Sequence, residues 1–212
     1  MAKYWEIPRI WQHGEAIAVG NGPSLSPDRF DWGCLRGRNV VGCNNAIFEH
    51  PDALSFGVFG DAPFWQLYRR EIIHSGLTCL TNNQAIPQED IDGAPNIRRV
   101  ARVQKTWSGR QDGLCWIGNT GAMAINLAAL LGAKRIILVG FDMALGPAGA
   151  ANWYTGNRRP PDRKKLESFA REITGKIVGA CVASGVELVN ANPESKLGGS
   201  IPIVDPAAEG LA

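Results

Sequence analysis

The chain has 212 residues, enough for one domain with its own core. Apolar residues make up 45%, charged residues 20%, and the net charge is +2, which excludes a strongly basic nucleic-acid binder. No apolar run approaches the roughly 18 residues of a membrane span, and Met-Ala-Lys-Tyr-Trp-Glu carries no apolar stretch of a signal peptide.

Residues 1–14 read as a lead-in segment packed on the domain. EAIAV (15–19) is a buried strand, turned at once by GNGPSL (20–25). NVVGCNNAI (39–47) is a second strand with a polar tip at Asn44-Asn45. ALSFGVFGD (53–61) is a third, ending at Asp61. Residues 62–74 have helical spacing through Phe64, Leu67, Tyr68 and Ile72. LTCLTNN (77–83) and 97–103 read as strands. NTGAMAINLAALL (119–131) is an Ala/Leu-rich helix with Thr120 as N-cap and Gly132 as its stop. KRIILVG (134–140) is a near-continuous apolar strand, as a covered parallel sheet requires. A Gly/Pro-rich loop spans 146–161, a long helix weakened by Gly175 and Gly179 spans 163–184, and VELVN (186–190) is the last strand. The tail from 192 reads as irregular. No repeat or linker appears, so residues 1–212 form a single domain.

Strands alternating with helices predict an α/β fold, a Rossmann-like three-layer sandwich with a mostly parallel central sheet. In such sheets ligands bind at the carboxyl ends of the strands. Asn21, Asn44, Asp61, Asn82, Asp142 and Asn190 each stand at or just after a strand end. They predict a polar cleft lined by amides.

GNGPSL is not a dinucleotide fingerprint, because position 25 is Leu, and no GK[ST] comes after it to make a P-loop. Gly20 and Gly22 either let the backbone approach a ligand beside Asn21 or only form a tight turn capped by Ser24 or Ser26. GNTGAMAIN (118–126) opens a helix, so Thr120 and Gly121 offer N–H groups to an anion; the alternative is close helix packing. Asp61 and Asp142 either share Mg²⁺ against a diphosphate or cap the segments after them. Trp65 and Tyr68 read as packing residues. Trp153 and Tyr154 sit in the loop, where they suit stacking on a base or sugar. The basic run from Arg158-Arg159 to Arg163-Lys164-Lys165 reads as a solvated helix start, with Arg158 and Arg159 free to close on a phosphate.

GNGPSL after a first strand, a strand ending in CNN, and GNTGAMAINLAALLGAKRIILVGFDM together carry a resemblance over roughly 15–195. The pattern resembles the bacterial lipooligosaccharide sialyltransferases and the related 6-hydroxymethylpterin diphosphokinase-like proteins, and more closely the small phage-borne members of that group. The resemblance implies that Asn21, Asn44, Asn119, Thr120 and Gly121 face a nucleotide, and that Asn192, Pro193 and Ser195 close over its base. It implies a histidine base and tyrosines in the loop after Gly-Phe-Asp. Here NWYTGNRRPP supplies Tyr154 but puts Asn157 where the histidine is expected, and asparagine takes no proton near neutral pH. Asp142 or Asp61 is then left as base.

The main expectation is a glycosyltransferase using a nucleotide-activated sugar and no cofactor. One alternative is Mg²⁺-dependent diphosphoryl transfer to a small heterocyclic alcohol. Another is a non-catalytic nucleotide-binding module of phage or prophage. Nucleic acid enters only as a possible acceptor, and the oligomeric state stays open. Five cysteines without a CxxC pair predict reduced thiols and a cytoplasmic protein. His13, His50 and His74 lack zinc-site spacing.

Overall fold

The computed structural model describes residues 4–156 and 160–211. Seven strands form one parallel sheet in the order β5-β4-β3-β2-β1-β8-β9. They are β1 (Glu15–Val19), β2 (Val40–Cys43), β3 (Phe56–Val58), β4 (Cys79–Thr81), β5 (Ile97–Arg99), β8 (Arg135–Val139) and β9 (Glu187–Asn190). β6 (Ala101–Gln104) and β7 (Gly113–Trp116) pair in a separate parallel ribbon. The α/β sandwich read from the sequence is the one the chain adopts.

Side-chain alternation on the strands builds the layers. Ala16 and Ala18 of β1 face the helix α4 (Thr120–Leu130), while Ile17 and Val19 face the other side. The small alanines let α4 approach closely, and all but one of its residues are buried. α5 (Arg163–Glu172) and α6 (Gly179–Ala183) flank it, their apolar stripe continuing through Ile173, Ile177 and Cys181. The opposite face carries α1 (Ala46–Glu49), α2 (Ala62–His74) and α3 (Gln88–Asp92) over the β3–β5 half. Over β1, β8 and β9 it is closed by Leu25, Trp32, Leu35, Trp153 and Leu211 from short turns, the 146–156 loop and the tail.

Several boundaries differ from the sequence reading. Residues 97–103 form two strands, because Val100 still donates to Thr81 O (3.0 Å) while Ala101 donates to Asp112 O (2.7 Å) and leaves the main sheet. The partner strand β7 has only four residues and no sequence pattern marks it. The long helix widens to π geometry over Ile173–Val178, around Gly175, where Thr174 Oγ1 donates back to Ala170 O (2.9 Å). Asn119, not Thr120, caps α4; its Oδ1 accepts from Ala122 N at 3.2 Å.

Asn126 lies on α4 with no exposure. Its Oδ1 accepts from Cys115 N and its Nδ2 donates to Ser108 O, both at 2.9 Å. With Asn82 Nδ2, which donates to Leu114 O (3.2 Å) and Cys115 O (3.1 Å), this amide ties the β6–β7 ribbon to the core. Asn126→Leu strands both backbone groups, so denaturant unfolding should show a loss of about 2–4 kcal/mol. A loss under about 0.5 kcal/mol would remove the amide from that role.

The five cysteines are free, and four are buried. Burial pushes the Cys115 and Cys181 thiols up to about 12, so neither is a thiolate at neutral pH. Among the described residues no helix is long and apolar enough to cross a membrane.

Candidate functional site

β1 and β8 are sheet neighbours, yet the chain leaves β1 toward β2 and β8 toward β9. That reversal opens a crevice at their carboxyl ends. GNGPSL comes after β1 and GFDM after β8. Gly20 N donates to Val139 O and Gly22 N to Gly140 O, both at 2.8 Å. A Cβ on Gly20 would stand 2.4 Å from Gly140 O, and one on Gly22 would stand 1.7 Å from Asp142 Oδ2. These glycines admit the end of β8, and that packing is what requires them. A Cβ on Gly121 would lie 2.7 Å from Phe141 Cε1, and one on Gly20 3.2 Å from Phe141 Cδ2. The two glycine bends therefore meet on one buried ring.

Asp142 is nearly buried, and both its oxygens are engaged by one residue. Oδ1 accepts from Ser24 N (2.9 Å) and Oδ2 from Ser24 Oγ (2.8 Å). Burial raises its pKa, and the two Ser24 bonds oppose the rise. Asp142 thus braces the GNGPSL turn through both carboxylate oxygens. β2 and β1 lie between β3 and β8, so the strands that lead to Asp61 and Asp142 are about 14 Å apart at ordinary strand spacing. Among the described residues no group of three or more His, Cys, Asp or Glu is placed to hold a metal.

Asp61 stands at the N-cap position of α2 but makes no capping hydrogen bond, against the sequence reading. It reaches solvent, yet surrounding protein desolvates it enough to raise its pKa. The charges of Arg102 and Lys165 oppose that rise. It is a carboxylate at the rim without a structural task.

The parallel sheet brings Asn21, Asn44, Asn82 and Asn190 to one edge, and their amides are incompletely used. Asn21 Oδ1, Asn44 Oδ1 and Asn45 Oδ1 are buried without partners at the ends of β1 and β2. So are Asn82 Oδ1 after β4, and Asn190 Nδ2 and Asn192 Nδ2 after β9. Each such group costs about 1–3 kcal/mol unless something binds it. Asn44 also has φ +52°, a left-handed conformation that asparagine tolerates and functional sites collect.

The 146–156 loop lies on this rim. Trp153 N donates to Asn21 O at 3.2 Å. The Trp153 ring is 9% exposed and packs at 5.0 Å on Trp32, 5.4 Å on His50 and 5.2 Å on Tyr154. It therefore serves the core, which corrects the reading of a base-stacking platform, although its Nε1 is buried and unpaired. Burial lowers the His50 pKa and raises that of Tyr154. Asn157, Arg158 and Arg159 lie outside the described residues.

Thr120 and Gly121 form the first turn of α4, whose N–H groups have no partner within the helix. The tail is stitched to β8: Ser195 Oγ donates to Phe141 O (2.6 Å) and Lys196 N to Asp142 O (2.8 Å). Asn192, Ser24, Arg29, Phe30 and Leu211 line a cavity of about 150 Å³ there.

Nothing in the sequence pattern singles out Arg102 and Trp116. Arg102 Cζ lies 4.7 Å from the Trp116 ring centroid. Its Nε donates to Asn82 O (3.0 Å) and its Nη2 to Gly60 O (3.4 Å). A Cβ on Gly60 would stand 2.1 Å from Trp116, so the FGD glycine is what admits this indole.

Fold and rim define an α/β protein with an amide-lined crevice at its switch point. Among solved structures of like fold is a Maf glycosyltransferase from Magnetospirillum magneticum, at TM-score 0.68 and 14% identity. That match covers 97% of this chain and 36% of the other, so this chain spans about a third of that protein's length. The sialyltransferase CstII from Campylobacter jejuni with the analogue CMP-3FNeuAc matches at TM-score 0.55 and 14% identity, covering 89% of this chain and 85% of that one. A CstII variant in complex with CMP matches at TM-score 0.56 and 15% identity, covering 89% and 86%. No protein-family model and no curated protein matches the sequence.

Proposed function

We propose that the chain is a glycosyltransferase using a nucleotide-activated sugar. The observation that carries this is the set of buried, unpaired amide atoms of Asn21, Asn44 and Asn45 beside the switch point. They supply hydrogen-bond acceptors where this fold presents ligands, and CMP is the ligand in a complex of a protein with the same fold. The first turn of α4 at Thr120-Gly121 takes the phosphate, and Asn119 holds that turn in shape. Asn192 supplies a further donor from the tail. In the reaction the acceptor hydroxyl attacks the anomeric carbon. The bond from that carbon to the phosphate oxygen breaks, and the nucleotide leaves with its electrons. Asp61 accepts the hydroxyl proton, being the rim carboxylate that makes no capping bond. No step requires a metal. The diphosphoryl alternative, which needs Asp61 and Asp142 on one ion, loses support from their separation.

Thermal unfolding with CMP, UDP and GDP tests the pocket. A hundredfold excess over Kd should stabilise the fold by about 2.7 kcal/mol, a rise of roughly 5–10 °C. Asn21→Ala should remove most of that shift. No shift with any of the three at millimolar concentration defeats the reading.

A further inference from the structure

We infer that Arg102, with the Trp116 ring beneath its guanidinium, forms an anion-binding subsite for an acidic acceptor: a sugar carrying a carboxylate or phosphate. This deepens the proposed transfer and rests on it for the word acceptor; the anion site itself rests on geometry. Among the described residues Arg102 makes no contact ion pair. Arg102 is nonetheless fixed. Carbonyls at the ends of β3 and β4 hold its Nε and Nη2, Trp116 supports its face, and Nη1 has no protein partner among the described residues. A guanidinium anchored along one side, with its other side unpaired, is built to meet a planar anion. Arg102 Nη2 donates to the carbonyl of Gly60, the residue before Asp61, so an anion held by Arg102 lies near that carboxylate. The subsite lies past the ends of β3 and β4 and on β6, whereas the nucleotide amides lie past β1, β2 and β9.

The test is calorimetric or NMR titration of the full chain with glucuronate, glucose 6-phosphate and glucose. Both acidic sugars should bind at least about tenfold more tightly than glucose, and the stronger of the two identifies the anion. Arg102→Ala should erase that preference and Arg102→Lys should weaken it severalfold, because lysine lacks the fork. Asp61→Asn should tighten acidic-sugar binding about threefold by removing a like charge. Equal binding of all three sugars, or an unchanged preference in Arg102→Lys, overturns the subsite. So does loss of CMP stabilisation in Arg102→Ala, which would put Arg102 on the nucleotide. If acidic sugars bind but CMP, UDP and GDP do not, the subsite stands and the nucleotide reading falls.

Discussion

Replacing Asp61 by asparagine should lower turnover by at least about a hundredfold while leaving nucleotide stabilisation and folding stability nearly unchanged. The side chain makes no capping bond and reaches solvent, so its loss should cost no more than about 0.5 kcal/mol. Nucleotide binding is assigned to amides past β1, β2 and β9 and to the first turn of α4, and Asp61 lies past β3. The expected signature is a fall in kcat with an unchanged or lower KM for an acidic acceptor, since a charge that repels the anion has gone. The pH profile is a second check. Desolvation holds the folded pKa of Asp61 above the ordinary carboxylate value. A base works only when ionised, so wild-type kcat/KM should fall as pH drops through that raised pKa. The variant's residual rate should lack that limb. Near-wild-type turnover by Asp61→Asn would eliminate the proposed base.

β1, β8 and α2 are legible in the sequence because they depend on local pattern. Apolar runs of five to seven residues mark β1 and β8, and the 3.6-residue spacing of Phe64, Tyr68 and Ile72 marks α2 with the bounds observed. The rim is legible once a parallel sheet is inferred, because strand direction alone sends Asn21, Asn44 and Asn190 to one edge. The features that escape depend on partners distant in sequence. Whether Gly22 serves a ligand or a neighbour is decided by Asp142, and no spacing rule links the two. Trp153 looks free in a glycine-rich loop, but Trp32 and His50 wait beneath it. Arg102 escapes notice because the chain changes sheets at Val100, a step set by Asp112 pairing with Ala101 rather than by propensity. Asp142 looks reactive from its place after a strand, yet Ser24 engages both its oxygens.

Gly22→Ala should destabilise the protein by about 3 kcal/mol, seen as a fall in Tm of roughly 6–12 °C. The backbone does not cause this, because Gly22 has φ −67° and ψ 155°, a conformation open to any residue. The cause is space. The new methyl meets Asp142 Oδ2 at 1.7 Å and Gly140 O at 2.7 Å. Neither yields cheaply: the carboxylate is held by two bonds from Ser24, and the carbonyl belongs to backbone that accepts from Gly22 N. Gly118 provides the contrast. Its φ is +80° but nothing lies within 4 Å of an added Cβ, so Gly118→Ala should cost only about 1–2 kcal/mol of backbone strain. A double variant, Gly22→Ala with Asp142→Ala, separates the two contacts. Removing the carboxylate should restore part of the loss from Gly22→Ala, while the Gly140 clash persists. Additive losses would mean that the carboxylate already swings aside, and that Asp142 is free for chemistry after all.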